Sequence, residues 1–333
     1  MIRKLTVPIL LTLLFLSGCG QSAAPSTDTE LRPVTLGMGF IANVQFAPFY
    51  VAAEKGYFEE EGIEVTFDYG MENDLLQLVA ADEMQFAIAS GDQVLVARAQ
   101  ELPVVYVANV FRQFPVAITS ISEDLSDLSV LEGKTVGLPG LFGANYIGWL
   151  ALANAAGLNQ SAIALEPIGF NQVPVLIDGQ VDAAMVYATN EPIQLADAGY
   201  DPSVVMVSTY VDLVSNGLVT NEQTIADHPD WVEGMTRAIL RGVADTLADP
   251  DGAFAITTSA RWVPEAGGNN AAAQRKVFDA SLLFWQNEKL GQLPISAWEA
   301  SQQVLLDAGI IDQALSLDDA ATNTFAEQAL ADQ

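Results

Sequence analysis

Residues 49–65 read FYVAAEKGYFEEEGIEV, and they span the end of one predicted helix and the start of one predicted strand. Proline at position 48 suits the first turn of a helix, and Gly62 suits the position just past its end. The next segment, Ile63–Tyr69, alternates apolar and polar residues, which is typical of a half-buried strand. Since an apolar strand pattern at 34–39 precedes the helix, this part of the chain predicts a β-α-β unit and a largely parallel sheet.

The same alternation of strands and helices continues along the chain. Further strands are predicted at 85–89, 104–110, 134–138, 165–168, 182–187 and 204–208, and helices at 74–81, 93–100, 144–156, 173–178 and 191–198. After residue 221 the pattern becomes almost wholly helical, with candidates at 230–247, 251–259, 270–286, 296–308 and 320–331. The predicted fold class is α/β, with two lobes, two crossings near 111–118 and 209–218, and a helical C-terminal tail. A ligand is then expected between the lobes, at the carboxyl ends of the strands.

The sequence as a whole predicts five segments. They are a signal peptide (1–18), a flexible tether (19–33), the first part of lobe 1 (34–114), lobe 2 (115–212), and a return to lobe 1 with the tail (213–333).

The N-terminus has the features of an export signal. Arg3 and Lys4 precede ten apolar residues at 7–16, a run too short to span a bilayer. The following Leu16-Ser17-Gly18-Cys19 resembles the bacterial lipobox, which implies cleavage before Cys19, acylation of that cysteine, and anchoring to the outer face of the cell membrane. The alternative is an ordinary signal peptide cleaved nearby. The small, polar, proline-punctuated residues 20–33 suit a tether.

The composition excludes several classes of chemistry. No cysteine follows Cys19, so disulfides, a thiolate nucleophile and cysteine-ligated metals are not expected. The single histidine, His228, lies in an Asp-His-Pro-Asp sequence that indicates a surface helix entry, an unpromising place for a triad or a zinc site. Without Arg3 and Lys4, 42 acidic residues stand against 11 basic ones, a formal charge of −31. Nucleic acid is therefore not an expected partner.

Three stretches carry a family resemblance. The segment quoted above resembles the YxAxEKGYFxxEGxxV signature of type II periplasmic substrate-binding proteins of the sulfonate, nitrate and thiamine-pyrimidine group. Further matches are the LEGKTVG sequence at 131–137 and the GQVDAA sequence at 179–184, ahead of YATNEP at 187–192. The resemblance spans about residues 34–264. It implies a monomeric, non-catalytic receptor that closes around a solute by a hinge motion and delivers it to an ABC permease with its ATPase. No cofactor is expected, and no phosphate-binding P-loop sequence is present.

The loops expected to face the cleft are rich in aromatic and amide side chains. Aromatic rings offer flat apolar walls to a planar heterocycle, while amides and carboxylates match its ring nitrogens and carbonyls. Asn43, Tyr187 and Glu191 are favoured because they combine polar groups with strand-end or helix-start positions. The predicted ligand-binding residues are Asn43, Gln45, Phe46, Tyr50, Ser90, Asp92, Phe114, Asn145, Tyr146, Tyr187, Asn190 and Glu191.

An anionic ligand is the competing prediction within the family. The helix start at 140–145 could present backbone N–H groups to an anion. Among the cleft segments, however, only Arg112 is basic, while Asp92 and Glu191 are acidic. That balance favours a neutral or cationic ring over a sulfonate or nitrate.

Among receptors for planar ligands, the stretch at 43–58 looks closer to the riboflavin-binding lipoproteins of flavin importers than to the thiamine-pyrimidine receptors. The latter commonly carry a histidine in this loop, and none is present here. Riboflavin is therefore the expected ligand, and a thiamine pyrimidine precursor is the alternative. The yeast-type pyrimidine synthases of this fold consume a site histidine and carry a cysteine-rich motif, and neither feature is available.

Two other classes remain open. A carboxylate pair such as Asp92 and Glu191 can do acid-base chemistry if their environments separate their pKa values, which would make the protein an enzyme. A surface adhesin or sensor is a weaker third alternative.

Overall fold

The computed structural model describes residues 31–286 and 289–331. The predicted signal sequence and Cys19 lie outside the described residues. Within them, no helix has the length and apolar character needed to cross a bilayer.

The described chain forms two five-stranded mixed sheets with helices packed around them. The strands are β1 (Arg32–Met38), β2 (Ile63–Tyr69), β3 (Phe86–Ser90), β4 (Val104–Asn109), β5 (Val116–Ser120), β6 (Thr135–Leu138), β7 (Ala164–Pro167), β8 (Ala183–Tyr187), β9 (Ser203–Met206) and β10 (Asn216–Asn221). The helices are α1 (Ala47–Glu54), α2 (Tyr57–Glu60), α3 (Glu72–Ala80), α4 (Gly91–Ala99), α5 (Gly143–Ala155), α6 (Gln172–Ile177), α7 (Glu191–Asp197), α8 (Glu222–Asp227), α9 (Pro229–Ala248), α10 (Pro250–Thr257), α11 (Ala271–Trp285), α12 (Ile295–Asp307), α13 (Leu317–Ala320) and α14 (Thr324–Ala331).

Both sheets share one topology. The first has the order β2-β1-β3-β10-β4 and the second the order β7-β6-β8-β5-β9. In each, four strands point the same way, and one strand that enters from the other lobe is inserted antiparallel between the third and the last. The α/β class with two lobes and a helical C-terminal part is confirmed.

The inserted strands β5 and β10 were missing from the sequence-based prediction, which placed crossings near 111–118 and 209–218 and assigned no strand to either segment. Both are short and fully buried, so they lack the alternation of apolar and polar residues that marks a half-buried strand. They pair antiparallel with both neighbours, which makes each sheet mixed rather than largely parallel.

The predicted helix after β1 is divided in two. Gly56 has a φ of +76°, a left-handed conformation that glycine adopts without steric cost, and it separates α1 from α2. Helix α1 is buried along almost its whole length against α9, while Tyr57 and Glu60 in α2 approach Arg241 of α9. The family-typical segment is thus mainly structural, and it packs the first lobe.

The two lobes also share part of their apolar core. One cluster of buried side chains includes Leu95 of α4, Trp149 of α5 and Trp298 of α12, so that α12 packs against helices of both lobes. This shared core joins the two lobes.

Strand β10 approaches its neighbour closely at Gly217. A Cβ atom added there would lie 2.1 Å from Tyr106 Oη and 2.2 Å from the carbonyl oxygen of Ala108. The second clash involves backbone, so no rotation of a side chain relieves it.

We therefore expect Gly217→Ala to lower the free energy of unfolding by about 1–3 kcal/mol, since overpacking of a core forces backbone shifts. The measurement is urea unfolding followed by circular dichroism. Gly70→Ala is the matched control, because its added Cβ would meet nothing closer than 3.8 Å. Equal unfolding midpoints for Gly217→Ala and wild type would show that β10 does not pack as described.

Candidate functional site

A cleft of about 820 Å³, part of it open to solvent, lies between the two sheets. Its walls come from the carboxyl ends of the parallel strands in both lobes, and from the first residue of antiparallel β10, which lies at the same edge. The lining residues of the first lobe are Gly39, Phe40, Gln45, Phe46, Met71, Glu72, Asn73, Ile88, Phe111 and Asn216. Those of the second lobe are Pro139, Phe142, Gly143, Ala144, Asn145, Phe170, Gln172, Tyr187, Asn190 and Glu191.

Aromatic rings from both lobes form much of the apolar lining. Phe40 of the first lobe meets Phe170 of the second edge to face, with ring centroids 4.7 Å apart. Phe142 lies over Gly140 and is 46% exposed, so its ring lies at the edge of the cleft. Phe46 and Tyr187 add rings from opposite lobes. The cleft can therefore contact a flat apolar ligand from both sides.

A chain of hydrogen bonds crosses the cleft between the lobes. Ser90 Oγ donates to Glu72 Oε2 at 2.7 Å, and Asn216 Nδ2 donates to Glu72 Oε1 at 2.9 Å. The Tyr187 hydroxyl then donates to Asn216 Oδ1 at 3.2 Å. Glu72, Ser90 and Asn216 belong to the first lobe and Tyr187 to the second, so this chain exists only when the lobes are together.

Tyr187 continues the chain into the second lobe. Its backbone N–H donates to Glu191 Oε2 at 3.0 Å, while Asn190 Nδ2 donates to Glu191 Oε1 at 2.9 Å. Asn190 in turn accepts a hydrogen bond from Gln194 Nε2 at 2.6 Å. These bonds hold the Glu191 carboxyl at the start of α7.

A second buried hydrogen bond joins the lobes beside this chain. Gln45 Nε2 in the loop after β1 donates to Thr189 Oγ1 in the loop after β8, at 2.7 Å. Both side chains are almost fully buried. A hydrogen bond shielded from water contributes most when its loss would leave a buried polar group unpaired, so this pair stabilises the closed arrangement.

Two amide oxygens at the cleft have no hydrogen-bond partner among the described residues. They are Asn73 Oδ1 in the first lobe and Asn145 Oδ1 in the second, and both atoms are buried. Buried acceptors without partners carry an energetic cost that a donor on a ligand removes.

The electrostatics of the cleft are acidic. Burial, with a smaller effect of Asp92, raises the pKa of Glu72 to about 8. Burial raises the pKa of Asp92 to about 6 and that of Glu191 to about 7, and hydrogen bonds to each carboxylate partly offset this. No lysine, arginine or histidine lines the cleft in the described part of the chain. The described residues also contain no group of His, Cys, Asp and Glu suited to a metal ion.

The structure places half of the sequence-predicted ligand-binding residues in the cleft lining. These are Gln45, Phe46, Asn145, Tyr187, Asn190 and Glu191. The other six, Asn43, Tyr50, Ser90, Asp92, Phe114 and Tyr146, lie outside the lining.

Two of those six lie directly behind lining residues. Asn43 accepts a hydrogen bond from the backbone N–H of Gln45 at 3.0 Å and so shapes the loop that carries Gln45. Ser90 donates to Glu72, as described above.

The remaining four are packed into the protein. Tyr50 is fully buried, stacks on Trp262 and hydrogen-bonds to Tyr69. Phe114 is fully buried in the shared core, and Tyr146 packs against that core. Asp92 is fully buried at the start of α4, so Glu72 rather than Asp92 lines the cleft.

Several lining residues were not among those predicted. Glu72 and Asn73 follow β2, and Phe170 follows β7, so the rule that ligands meet the carboxyl ends of strands was the signal that could have found them. Asn216 had no such signal, because its strand was not recognised. His228 lies outside the lining and stacks on Trp231 at the start of α9.

Comparison with known proteins places this geometry in a family. The family model described as NMT1/THI5 like matches residues 43–253. Riboflavin-binding protein RibY of Chloroflexus aurantiacus is 38% identical, over 97% of this chain and 97% of that protein. A formylaminopyrimidine-binding protein of Halalkalibacterium halodurans is 30% identical, over 75% of this chain and 77% of that protein.

A solved structure supports the fold. The periplasmic nitrate-binding protein NrtA of Synechocystis PCC 6803 superposes with a TM-score of 0.72, covering 91% of this chain and 89% of that chain at 13% identity. At that identity the likeness concerns the fold alone. The chain thus belongs to the NMT1/THI5-like family and has the periplasmic-binding-protein fold.

Proposed function

We propose that this chain is the solute-binding protein of an ABC importer and that it captures riboflavin between its two lobes. The single observation that carries the proposal is the 38% identity to a riboflavin-binding protein along nearly the whole of both chains. The aromatic and polar side chains that line the cleft support it independently.

The aromatic lining suits the flat ring system of a flavin. Phe46 and Tyr187 contribute rings from opposite lobes, and the Phe40–Phe170 pair adds an apolar contact between them. Apolar rings from both lobes can stack on a tricyclic ring, whereas nitrate has no comparable apolar face.

The polar lining suits the remaining groups of riboflavin. Asn73 and Asn145 line the cleft with side-chain amides, a group that both donates and accepts hydrogen bonds and so matches ring N–H groups, ring carbonyls and ribityl hydroxyls. Helix α5 begins at Gly143 with no side-chain cap on its N-terminus, so its first backbone N–H groups can donate to ring carbonyls. Donors and acceptors are thus present on both sides of the cleft.

A thiamine pyrimidine precursor is the second candidate, and the 30% identity to a formylaminopyrimidine-binding protein favours it specifically. The lower identity and coverage place it behind riboflavin. Sulfonate and nitrate fit less well, because no cationic side chain lines the cleft in the described part of the chain. An enzyme based on Asp92 and Glu191 is disfavoured, since Asp92 does not line the cleft.

Under the proposed function, each part of the chain has a distinct role. The lobes, divided at 34–114, 115–212 and 213–333, close on the ligand and form contacts such as Tyr187–Asn216 that only the closed state has. The closed monomer then delivers its ligand to a permease driven by a separate ATPase. Acylated Cys19 and the tether at 19–33 hold the exported protein on the outer face of the membrane.

Titration of the purified protein with four ligands tests the choice of solute. Quenching of flavin fluorescence reports riboflavin binding, and calorimetry reports binding of the pyrimidine precursor, an alkanesulfonate and nitrate. We expect riboflavin to bind most tightly. Its dissociation constant should change less than about threefold as salt shortens the Debye length from about 30 to 3 Å, because stacking and neutral hydrogen bonds are weakly screened. Tighter binding of an anion, lost steeply with salt, would contradict the proposal.

Two substitutions at Tyr187 separate its ring from its hydroxyl. Tyr187→Ala should weaken riboflavin binding by about 1–3 kcal/mol, by analogy with bases stacked on aromatic side chains. Tyr187→Phe keeps the ring, loses the hydrogen bond to Asn216, and should cost about 0.5–1.5 kcal/mol. Tyr210→Ala is the control, since Tyr210 is 45% exposed and outside the lining. An unchanged dissociation constant in Tyr187→Ala would place the ligand elsewhere.

The lipid anchor is tested by Cys19→Ser. This variant should appear in the soluble fraction or the medium with its ligand binding intact, because a hydroxyl replaces the thiol that would be acylated. The measurement is fractionation of cells followed by immunoblotting. A variant that still pellets with membranes after a carbonate wash would show that the anchor is not Cys19.

A further inference from the structure

We infer that Glu72 is a specificity-determining residue, whose carboxylate makes the cleft reject ligands that carry a phosphate monoester, so that it accepts riboflavin and excludes riboflavin 5′-phosphate. This inference rests on the proposed function and names the substrate class more narrowly. Among the described residues, no cationic side chain lines the cleft beside its buried carboxyl groups.

The position of Glu72 is set by the fold. It is the first residue of α3, directly after the end of β2, and its side chain is only 7% exposed. Ser90 and Asn216 each donate a hydrogen bond to one of its two oxygens. Its Cγ lies against Gly39, where an added Cβ would approach it to 2.6 Å. The carboxyl group is therefore held in place in the cleft wall and cannot turn towards solvent.

The groups that face Glu72 are acids and phenols. Asp92 at the start of α4 acts on it as a like charge. Tyr106 of β4 and Tyr187 of β8 are both close enough for Glu72 to raise their pKa values, and Glu191 of α7 also acts on Tyr187. None of these groups carries a positive charge that could neutralise the carboxylate. When Glu72 is ionised, a phosphate dianion placed beside it meets a like charge in a poorly solvated site.

The ionisation of Glu72 makes this rejection depend on pH. Burial raises its pKa to about 8, so the carboxyl group is mostly neutral at pH 7 and mostly charged at pH 9. A phosphate monoester has already lost its second proton near pH 6. Above pH 7 the ligand charge is nearly constant while the charge of Glu72 grows, and Glu191, with a pKa of about 7, completes its own ionisation at the lower end of this range. Selectivity for the uncharged flavin should therefore increase with pH, and substitution of Glu72 separates its effect from that of Glu191.

The N-terminus of α5 supplies the opposing effect. Its free backbone N–H groups at Gly143, Ala144 and Asn145 lie in the same cleft, and helix N-termini favour anions. The two effects lead to opposite expectations. If the N-terminus of α5 dominates, the phosphate ester binds as tightly as riboflavin. If Glu72 dominates, the phosphate ester binds more weakly than riboflavin, and the difference increases with pH.

The experiment measures dissociation constants of riboflavin and riboflavin 5′-phosphate by fluorescence quenching from pH 7 to pH 9. In the wild type, the ratio of the two constants should rise roughly tenfold over this range, because the neutral fraction of a carboxyl group with a pKa of about 8 falls about tenfold between pH 7 and pH 9 and ionised Glu72 repels the phosphate. In Glu72→Gln, which keeps the size of the side chain, removes its ionisation and replaces one acceptor oxygen by an N–H donor, the rise should fall below about threefold. Glu64→Gln on the exposed face of β2 should behave as wild type.

Each outcome decides the question. Equal affinity for the two flavins at every pH overturns the inference and favours α5 as an anion site. A ratio that is high but independent of pH, or unchanged in Glu72→Gln, also overturns it, because the selectivity then arises elsewhere. Both of these results leave riboflavin binding intact, so the proposed function survives them. A wild-type protein that binds neither flavin overturns the inference and the proposed function together.

Discussion

The hydrogen-bond chain from Ser90 through Glu72 and Asn216 to Tyr187 is the interaction on which the account of this protein depends. It joins strand ends of both sheets at the floor of one cleft, and its central bonds are 2.7, 2.9 and 3.2 Å long. Because Tyr187 belongs to one lobe and Asn216 to the other, this bond requires the two lobes to be together. A ligand seated against this chain stabilises the closed state through contacts that the open state lacks.

The titratable side chains around this chain of hydrogen bonds are acidic. The fold is shared with a nitrate-binding protein, yet the described part of this cleft is lined by Glu72 and Glu191 without a cationic side chain. Function in such folds is set by the side chains at the strand ends rather than by the topology. Aromatic rings and unpartnered amide oxygens in the same cleft suit a flat, neutral ligand with several N–H and O–H groups.

The sequence was informative about local structure and less so about long-range pairing. Periodicity and turn residues identified most helices and the parallel strands, and the strand-end rule brought Tyr187 and Glu191 to the cleft. The antiparallel strand β10 was missed because strand pairing between distant segments leaves no local signal. Asn216, the first residue of β10, was therefore not predicted as a cleft residue, and its partner Glu72 lies 144 residues away in the sequence. Tyr50 and Phe114 were chosen for their aromatic character, but a ring looks the same in sequence whether it packs a core or lines a cleft.

The most direct test of the central claim is a crystal structure of the protein grown with riboflavin. The account predicts the ring system between the lobes, in contact with Tyr187, with ring or ribityl donors within hydrogen-bond distance of Asn73 or Asn145, and with the Tyr187–Asn216 bond formed. A flavin bound outside this cleft, or a filled cleft in which the lobes are apart and that bond is absent, would contradict it.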